Sequence, residues 1–223
     1  DYSQVELRVL ASLSNDEEMI RIFKDGDDVH TLTASSVFSL PKEMITDDLR
    51  RKAKAINFGI VYGISDWGLA EQIKSTPKEA KNFIERYFTT FPNIKSYLDE
   101  VVENCKQNGY VTTLYKRRRD VGEINSSVYN EREFGKRVAM NTPIQGTSAD
   151  IIKIAMLNIY KYMKDNNVKS KLIIQIHDEL VFDLHPDEDY LEDVFKNIME
   201  EASNLKVRLV ASSSMGKDWY EAK

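Results

Sequence analysis

The hydrophobic pattern of the chain changes once, near Asn166-Asn167, and this change limits the folds that the sequence can adopt. Before it, apolar residues recur at the three- and four-residue spacing of helices that bury one face. After it, two short apolar and β-branched runs, at 171–176 and 180–184, are separated only by His177-Asp178-Glu179. Such a pair of runs predicts an antiparallel hairpin. A helical majority followed by a few strands predicts an α+β fold.

Capping residues and prolines give the approximate boundaries of the other elements. We expect helices over 5–13, 16–23, 29–38, 47–62, 66–74, 78–90, 93–108, 130–141, 148–164 and 187–204. Pro143 has no amide hydrogen, so we expect it to break the helical ladder and to leave Gln145 in a loop or at the next helix start. A strand pair or an extended loop is expected over 110–119, and a last strand over 207–212.

Composition excludes several classes of protein. The 223 residues are 42% hydrophobic and 30% charged, which is typical of globular proteins. No apolar run approaches the roughly 20 residues needed to cross a bilayer, so no membrane association is expected. Cys105 is the only cysteine, which rules out an internal disulfide and favours a reducing, cytoplasmic location.

The net charge of −5 argues at face value against a partner as acidic as nucleic acid. The charge is unevenly distributed, however. Four positive charges fall within residues 50–54, and four more within residues 116–119. Such runs are usually solvated surface, but they also suit contact with phosphate groups.

The helix predicted over 47–62 carries a stripe of functional side chains at steps of four residues: Arg50, Lys54, Phe58 and Tyr62. Each step drifts by only about 40°, so the stripe is roughly 18 Å long. Two cations at one end and two aromatic rings at the other suit a nucleotide, with its charged tail and stackable base. The alternative is an ordinary amphipathic helix. Against it, Gly59 and Gly63 weaken the helix beside the rings, which indicates a close approach there.

The predicted hairpin turn is unusual because it holds two carboxylates and an imidazole where Asn-Gly or Gly is common. Solvated acidic residues are one interpretation. The other is that Asp178 binds a hard cation, because Mg²⁺ is held in proteins by one or two carboxylates together with substrate phosphates. Nucleotide sites of other kinds are excluded, since the sequence has no Walker A motif and no Gly-x-Gly-x-x-Gly. One cysteine and three histidines also give no structural zinc set.

Three motifs in order resemble those of the family A DNA polymerases. Residues 1–8 (DYSQVELR) resemble motif A, residues 50–63 (RRKAKAINFGIVYG) motif B and residues 176–181 (IHDELV) motif C. The segments NTPIQGT at 141–147 and GKDW at 216–219 are also similar to the family, so the resemblance covers essentially the whole chain. Because the chain starts with Asp1 and not with Met, we expect it to be part of a larger polymerase. We expect this part alone to be inactive or weakly active.

The resemblance implies a right-hand polymerase fold, with mostly helical fingers inserted in a palm that has a small antiparallel sheet. The thumb and the N-terminal part of the palm are missing from it. The expected divisions are palm at 1–12, fingers at 13–128 and palm again at 129–223. The implied activity is template-directed DNA synthesis from dNTPs on primer-template DNA, by a monomeric polymerase with two Mg²⁺ ions.

The resemblance also implies a role for each residue that matches the motifs. The catalytic residues are Asp1, Asp178, Glu179 and Lys54, and the metal ligands are Asp1, Tyr2 and Asp178. The dNTP-binding residues are Arg50, Lys54, Phe58, Tyr62, Glu6, Gln4 and His30. The DNA-binding residues are Arg137, Asn141, Gln145 and His177. Two other hypotheses remain open: a non-catalytic nucleic-acid-binding module derived from a polymerase, and a helical domain whose motifs are unrelated.

Overall fold

The computed structural model describes residues 1–222, which form a mostly helical chain with two small antiparallel hairpins. The α-helices are α1 (Val5–Ser14), α2 (Glu17–Asp25), α3 (Val29–Phe38), α4 (Asp47–Val61), α5 (Asp66–Ile73), α6 (Pro77–Thr90), α7 (Pro92–Asn108), α8 (Tyr129–Asp165) and α9 (Leu191–Glu200). The strands are β1 (Tyr110–Thr112), β2 (Arg118–Asp120), β3 (Lys171–Ile176) and β4 (Glu179–Asp183). The α+β prediction is therefore confirmed. Among the described residues, no helix has both the length and the apolar character needed to cross a membrane.

The chain divides into two compact units. The first unit comprises residues 1–5 together with the chain from 148 onwards, and the second comprises residues 6–147. The first therefore holds both ends of the sequence and the β3–β4 hairpin. The second contains the six helices α2–α7 and most of α1, the β1–β2 hairpin and the first half of α8.

Most helices of the second unit begin where the sequence supplies a side-chain cap. The N-cap residues that accept a hydrogen bond from the first turn are Asp16 for α2, Asp28 for α3, Thr46 for α4, Ser65 for α5 and Thr76 for α6. Each oxygen satisfies an amide that the helix leaves unpaired. The faces that these helices turn inward bury large side chains, including Met19, Ile56, Leu69, Tyr87 and Ile94. The predicted helix boundaries hold here to within about two residues.

A smaller core lies where α7, the β1–β2 hairpin and α8 meet. Its fully or nearly buried members are Cys105, Val111, Val121, Ile124 and Ala139. The expected strand pair over 110–119 is a genuine hairpin, in which Val111 pairs with Arg119. Gly135 lets α8 approach this core, because a Cβ built there would lie 2.7 Å from the backbone nitrogen of Ile124.

The prediction that Pro143 breaks the helix is wrong. α8 runs unbroken from Tyr129 to Asp165 with Pro143 inside it. Packing explains the difference, since Ile144 and Thr147 are fully buried and hold this part of the helix in the core. The hydroxyl of Thr147 also accepts the amide of Leu114 at 2.9 Å. Burial of this kind outweighs the loss of one backbone hydrogen bond at proline.

In the first unit, β3 pairs antiparallel with β4, and the register shifts between Leu172 and Ile174. The ring of Phe182 stacks on that of Phe195 from α9, with 4.4 Å between the ring centroids. This contact attaches one face of the hairpin to the helix. The apolar side of α9, which also includes Leu191 and Met199, is buried.

Two further predictions for the first unit need correction. The helix expected over 187–204 is shorter, because turns that close on His185 and Glu188 occupy the residues before Leu191. The strand expected over 207–212 is reduced to an isolated bridge between Tyr2 and Ala211. The backbone hydrogen bonds beside this bridge run from Ser3 to Val210 and from Ser212 to Asp1.

Candidate active site

Asp178 lies in the tight turn of the β3–β4 hairpin. The turn proper consists of His177 and Asp178, since Glu179 already begins β4 and pairs with Ile176. His177 has φ of 51°, in the left-handed region, where a residue other than glycine carries a cost of about 1 kcal/mol. His177 is exposed and Asp178 half-buried, so the turn presents both side chains at the tip of a regular hairpin.

The first residues of the chain lie beside this turn. The amide of Tyr2 donates to the carbonyl oxygen of Asp178 at 3.1 Å, and Asp1 exchanges two backbone hydrogen bonds with Ser212. Tyr2 is 2% exposed, and its phenol donates to the carbonyl of Met199 at 2.6 Å. A buried tyrosine thus fixes Asp1 next to Asp178, although the two aspartates are far apart in the sequence.

The acidic residues share one neighbourhood, because the carboxylates of Glu179 and Asp178 both lie near the backbone nitrogen of Asp1. The Glu179 carboxylate has a partner of its own, because the indole Nε1 of Trp219 donates to its Oε1 at 2.7 Å. Trp219 was not among the predicted site residues, although it belongs to the GKDW segment that the sequence singled out.

The donors at this turn fit a hard cation. The carboxylates of Asp1 and Asp178 and the carbonyl of Tyr2 are oxygen ligands, which Mg²⁺ prefers. Within residues 1–222, no three His, Cys, Asp or Glu side chains are grouped so that they could hold a metal ion by themselves.

A second cluster of predicted residues lies in the second unit, along α4. Arg50, Lys54 and Tyr62 are exposed, and Phe58 is half-buried beside them. α4 ends at Val61, so Tyr62 is the residue that caps the helix at its C-terminal end. Its phenol donates to Oε2 of Glu6 at 2.8 Å. The structure therefore brings together the four residues of the predicted stripe and adds Glu6 to its aromatic end.

The guanidinium of Arg50 is held by the N-cap of α3. Nε of Arg50 is 2.5 Å from Oδ2 of Asp28, and Nη2 is 3.2 Å from Oδ1. Burial acts to raise the pKa of Asp28, but hydrogen bonds from Arg50 and Thr31 outweigh it and lower this pKa to about 2. The carboxylate is therefore ionised. The Nη1 group of Arg50 makes neither of these two bonds.

His30 is 2% exposed and lies beside α4, with its ring centroid 6.0 Å from that of Phe58. Burial, with the charges of Arg50 and Lys54 adding to it, lowers the pKa of His30 to about 4 against the opposing effect of Asp28. His30 is thus neutral near pH 7. Its Nδ1 is 3.1 Å from Nδ2 of the Asn57 side chain.

Asn57 and Thr33 were not predicted as site residues. Both are fully buried, and Asn57 sits on the inward face of α4 with Ala53, Ile56 and Ile60. An amide in such an apolar stripe is a signal that the sequence does contain, because a buried polar group requires a partner.

The predicted DNA-binding residues of α8 begin beside the aromatic end of α4. A Cβ built on Gly63 would lie 2.5 Å from Cε of Met140 and 3.1 Å from Cγ of Arg137, and Gly63 has φ of 66°. The close approach expected at this glycine therefore comes from α8. Because the helix is continuous, Arg137, Asn141 and Gln145 share one stripe.

The remaining predicted residues complete this description. Arg137 and Gln145 are exposed. The side-chain nitrogen Nδ2 of Asn141 is buried and has no hydrogen-bond partner among the residues that the structure describes. Gln4 has φ of 56° and stands directly before α1. Asp1, Tyr2, Gln4, His177, Asp178 and Glu179 belong to the first unit, and the other predicted residues belong to the second.

Known proteins resemble the whole chain. It is 48% identical over 224 residues to DNA polymerase I of Caldicellulosiruptor bescii and 50% identical over 227 residues to that of Lactococcus lactis subsp. cremoris. Each comparison covers 100% of this chain and 26% of the relative, so the chain spans about a quarter of their length.

A solved structure, titled as the POL domain of Pol1 from M. smegmatis in complex with DNA primer-template and dNTP, matches with a TM-score of 0.95 and 41% identity. That match covers 100% of this chain and 39% of the other. Residues 1–221 match the family described as DNA polymerase family A. The chain therefore belongs to DNA polymerase family A.

Proposed function

We propose that the full-length natural protein containing these residues carries out template-directed DNA synthesis, transferring a nucleotide from a dNTP to the 3′-hydroxyl of a primer. The hydrogen bond from Tyr2 to Asp178 carries this proposal. It joins two segments that are far apart in the sequence and brings two carboxylates to one hairpin tip. A structural turn has no need of that arrangement, but a phosphoryl-transfer site does.

Two Mg²⁺ ions fit the donor set at the hairpin tip, with Asp1, Asp178 and the Tyr2 carbonyl as the protein ligands. When bound, Mg²⁺ lowers the pKa of a coordinated hydroxyl and neutralises charge on phosphate oxygens. Asp1 and Asp178 would orient the primer hydroxyl toward the α-phosphorus. Glu179 would act as an accessory carboxylate, restrained by the indole of Trp219.

The stripe on α4 would bind the incoming dNTP. Arg50 and Lys54 would hold the triphosphate, and Lys54 would also stabilise the charge that develops during transfer. Phe58 would pack on the sugar. Tyr62 would lie near the template base.

Glu6, Gln4 and His30 would complete the nucleotide site. Glu6, which the phenol of Tyr62 holds, would fill the space that a ribose 2′-hydroxyl needs. His30 would assist Arg50 and Lys54 at the triphosphate. Gln4 would contact the nucleotide from the residue before α1.

Primer and template DNA would contact Arg137, Asn141, Gln145 and His177. These residues would contact minor-groove acceptors that all correct base pairs share, so the contacts would test the shape of a base pair without reading its identity. We propose a monomeric enzyme that works in the cytoplasm. Its buried free Cys105 fits a reducing compartment.

Primer extension by the full-length natural protein tests the proposed function. With Mg²⁺, dNTPs and a primer-template, Asp178→Asn should lower incorporation at least about a thousandfold, because it removes a ligand charge that acts in the transition state. Asp183→Asn is the matched control, since Asp183 is an exposed residue at the other end of β4. Wild-type incorporation by Asp178→Asn would refute the metal assignment.

Salt-dependent DNA binding by the wild-type protein, without any Mg²⁺-dependent incorporation, would instead support the non-catalytic nucleic-acid-binding module. The intact pair Asp1 and Asp178 and the cations Arg50 and Lys54 favour the enzyme. A module freed from catalysis does not need metal-binding and triphosphate-binding groups together.

A further inference from the structure

Three buried polar side chains form a network under the nucleotide stripe of α4. His30 is 2% exposed, and Thr33 and Asn57 are fully buried. Burying such groups costs free energy unless every one finds a partner. An apolar residue at 57 would match its neighbours Ile56 and Ile60 on α4, so the amide there calls for a reason beyond packing.

The side-chain amide of Asn57 lies between two partners, Thr33 and His30. Thr33 Oγ1 donates to Oδ1 of Asn57 at 3.2 Å and accepts from Nδ2 at 3.1 Å. Nδ2 also lies 3.1 Å from Nδ1 of His30. With the amide in this orientation, Nδ2 can only donate, so Nδ1 of His30 accepts and the ring hydrogen resides on Nε2.

The surroundings of His30 keep the ring neutral. The charged groups that act on it are Asp28 before α3 and Arg50 and Lys54 on α4. Burial, followed by the charges of Arg50 and Lys54, lowers the pKa of His30 to about 4 against the opposing effect of Asp28. A neutral ring with hydrogen on Nε2 can donate one hydrogen bond without adding a third positive charge beside the two cations.

We propose that Asn57 is a positioning residue that holds His30 in the Nε2–H tautomer, so that His30 serves the dNTP triphosphate as an uncharged hydrogen-bond donor. This inference rests on the proposed function, and it deepens the role of the triphosphate site. Asn57 acts through His30 and does not touch the nucleotide. Its part is to orient a donor, as partners of functional histidines commonly do.

Steady-state kinetics of the full-length natural protein test this role. Asn57→Leu should raise the KM for dNTP about threefold to tenfold while kcat changes less, because one oriented hydrogen bond is lost. His30→Gln should have a similar effect. The double variant should be no worse than His30→Gln alone, because Asn57 acts only through that ring. Additive effects of the two substitutions would overturn the proposal.

A pH profile separates positioning from a purely structural role. The wild-type KM for dNTP should show no His30 titration above about pH 5.5. In Asn57→Asp, a carboxylate beside Nδ1 raises the pKa of His30. The KM should then fall as pH decreases from 8 to 6, because the ring gains a positive charge near the triphosphate. Asn82→Asp, on the exposed face of α6, is the matched control and should keep the wild-type profile.

A spectroscopic measurement keeps the proposal testable if the Asn57 variants fold poorly. Side-chain ¹⁵N shifts of wild-type protein, assigned to His30 by comparison with His30→Gln, should report hydrogen on Nε2 and a pyridine-like Nδ1. Hydrogen on Nδ1, or a charged ring at pH 7, would refute the inference. This readout needs neither nucleotide nor turnover, so its failure is distinct from a failure of the proposed function, which loss of wild-type incorporation would reveal.

Discussion

The phenol of Tyr62 donates a hydrogen bond to the carboxylate of Glu6, with 2.8 Å between Oη and Oε2. The bond joins the C-terminal cap of α4 to the first turn of α1, across 56 residues of sequence. Glu6 is half-buried and Tyr62 is exposed. Their hydrogen bond restrains both side chains at the aromatic end of the stripe on α4. A fixed carboxylate at that end is suited to excluding an additional hydroxyl group from a bound sugar.

Shortening Glu6 should therefore relax sugar selection. We expect Glu6→Ala to raise the ratio of ribonucleotide to deoxyribonucleotide incorporation about 10- to 100-fold, because it opens space for a 2′-hydroxyl and removes a negative charge. Single-nucleotide extension with each substrate, in the full-length natural protein, measures this ratio. Glu18→Ala is a suitable control, since Glu18 pairs with Arg21 on the surface of α2. An unchanged ratio would rule out the steric role of Glu6.

Asp16 caps two helices at once. Its Oδ1 accepts the amide of Met19 in α2 at 3.0 Å, and its Oδ2 accepts the amide of Asn93 in α7 at 3.1 Å. α7 receives no side-chain cap from its own N-cap residue, Phe91. Asp16 is 1% exposed, and burial raises its pKa.

We expect Asp16→Ala to cost about 2 to 3 kcal/mol of local stability, because both caps are lost and each is typically worth about 1 kcal/mol. Ser65→Ala, which removes a single cap at α5, should cost about 1 kcal/mol. Hydrogen–deuterium exchange compares the two variants, and Asp16→Ala should accelerate exchange in both α2 and α7. Faster exchange in α2 alone would mean that Asp16 does not cap α7.

Gly135 should resist substitution although it lies inside a helix. Alanine is intrinsically better in helices by about 1 kcal/mol. A Cβ at this position, however, would lie 2.7 to 2.9 Å from backbone atoms of Glu123 and Ile124, which cannot move aside as a flexible side chain can.

Overpacking against backbone costs about 1 to 3 kcal/mol, so we expect Gly135→Ala to destabilise the protein on balance. Gly122→Ala should be neutral or slightly stabilising, since nothing lies within 4 Å of a Cβ built there. Urea unfolding of the two variants gives the comparison. Equal midpoints would show that α8 shifts to accommodate the methyl group.

Local signals in the sequence were enough to predict most helices and the hairpin that carries Asp178, and they left residues 110–119 open between a strand pair and an extended loop. The N-caps Asp28 and Thr46 and the run after Asn167 act over a few residues, so their effect is visible without tertiary structure. Pro143 was interpreted wrongly for the same reason. Its local effect is to break a helix, whereas burial of its neighbour Ile144, which depends on the rest of the fold, keeps α8 continuous.

The candidate site divides in a similar way. The charged and aromatic residues of α4 follow from spacing along one helix, and they are found together. Asn57 and Trp219 were missed because their roles depend on partners distant in sequence, His30 and Glu179. The neutral state of His30 depends likewise on burial, which spacing alone does not reveal.

Glu188 anchors the base of the hairpin that carries Asp178. Its carboxylate accepts the amide of Lys169 at 2.9 Å, and both the amide and the hydroxyl of Ser170, at 2.8 and 2.6 Å. These bonds lower the pKa of Glu188 from 4.5 to about 2, and the largest contribution is that of the Lys169 amide, followed by that of the Ser170 hydroxyl. A lowered pKa in the folded state means that the stabilisation is complete above about pH 4.5 and is lost as pH falls toward 2.

Glu188→Gln should therefore lower the free energy of unfolding near pH 7, and the difference from wild type should shrink below about pH 4.5 as the wild-type carboxylate loses its advantage. Urea unfolding at intervals from pH 7 to pH 3 measures this dependence. Glu201→Gln, at an exposed position just after α9, should show no such trend. A difference in the free energy of unfolding between Glu188→Gln and wild type that stays constant with pH would contradict the prediction. It would mean that the packing of the side chain, and not its negative charge, holds the start of β3.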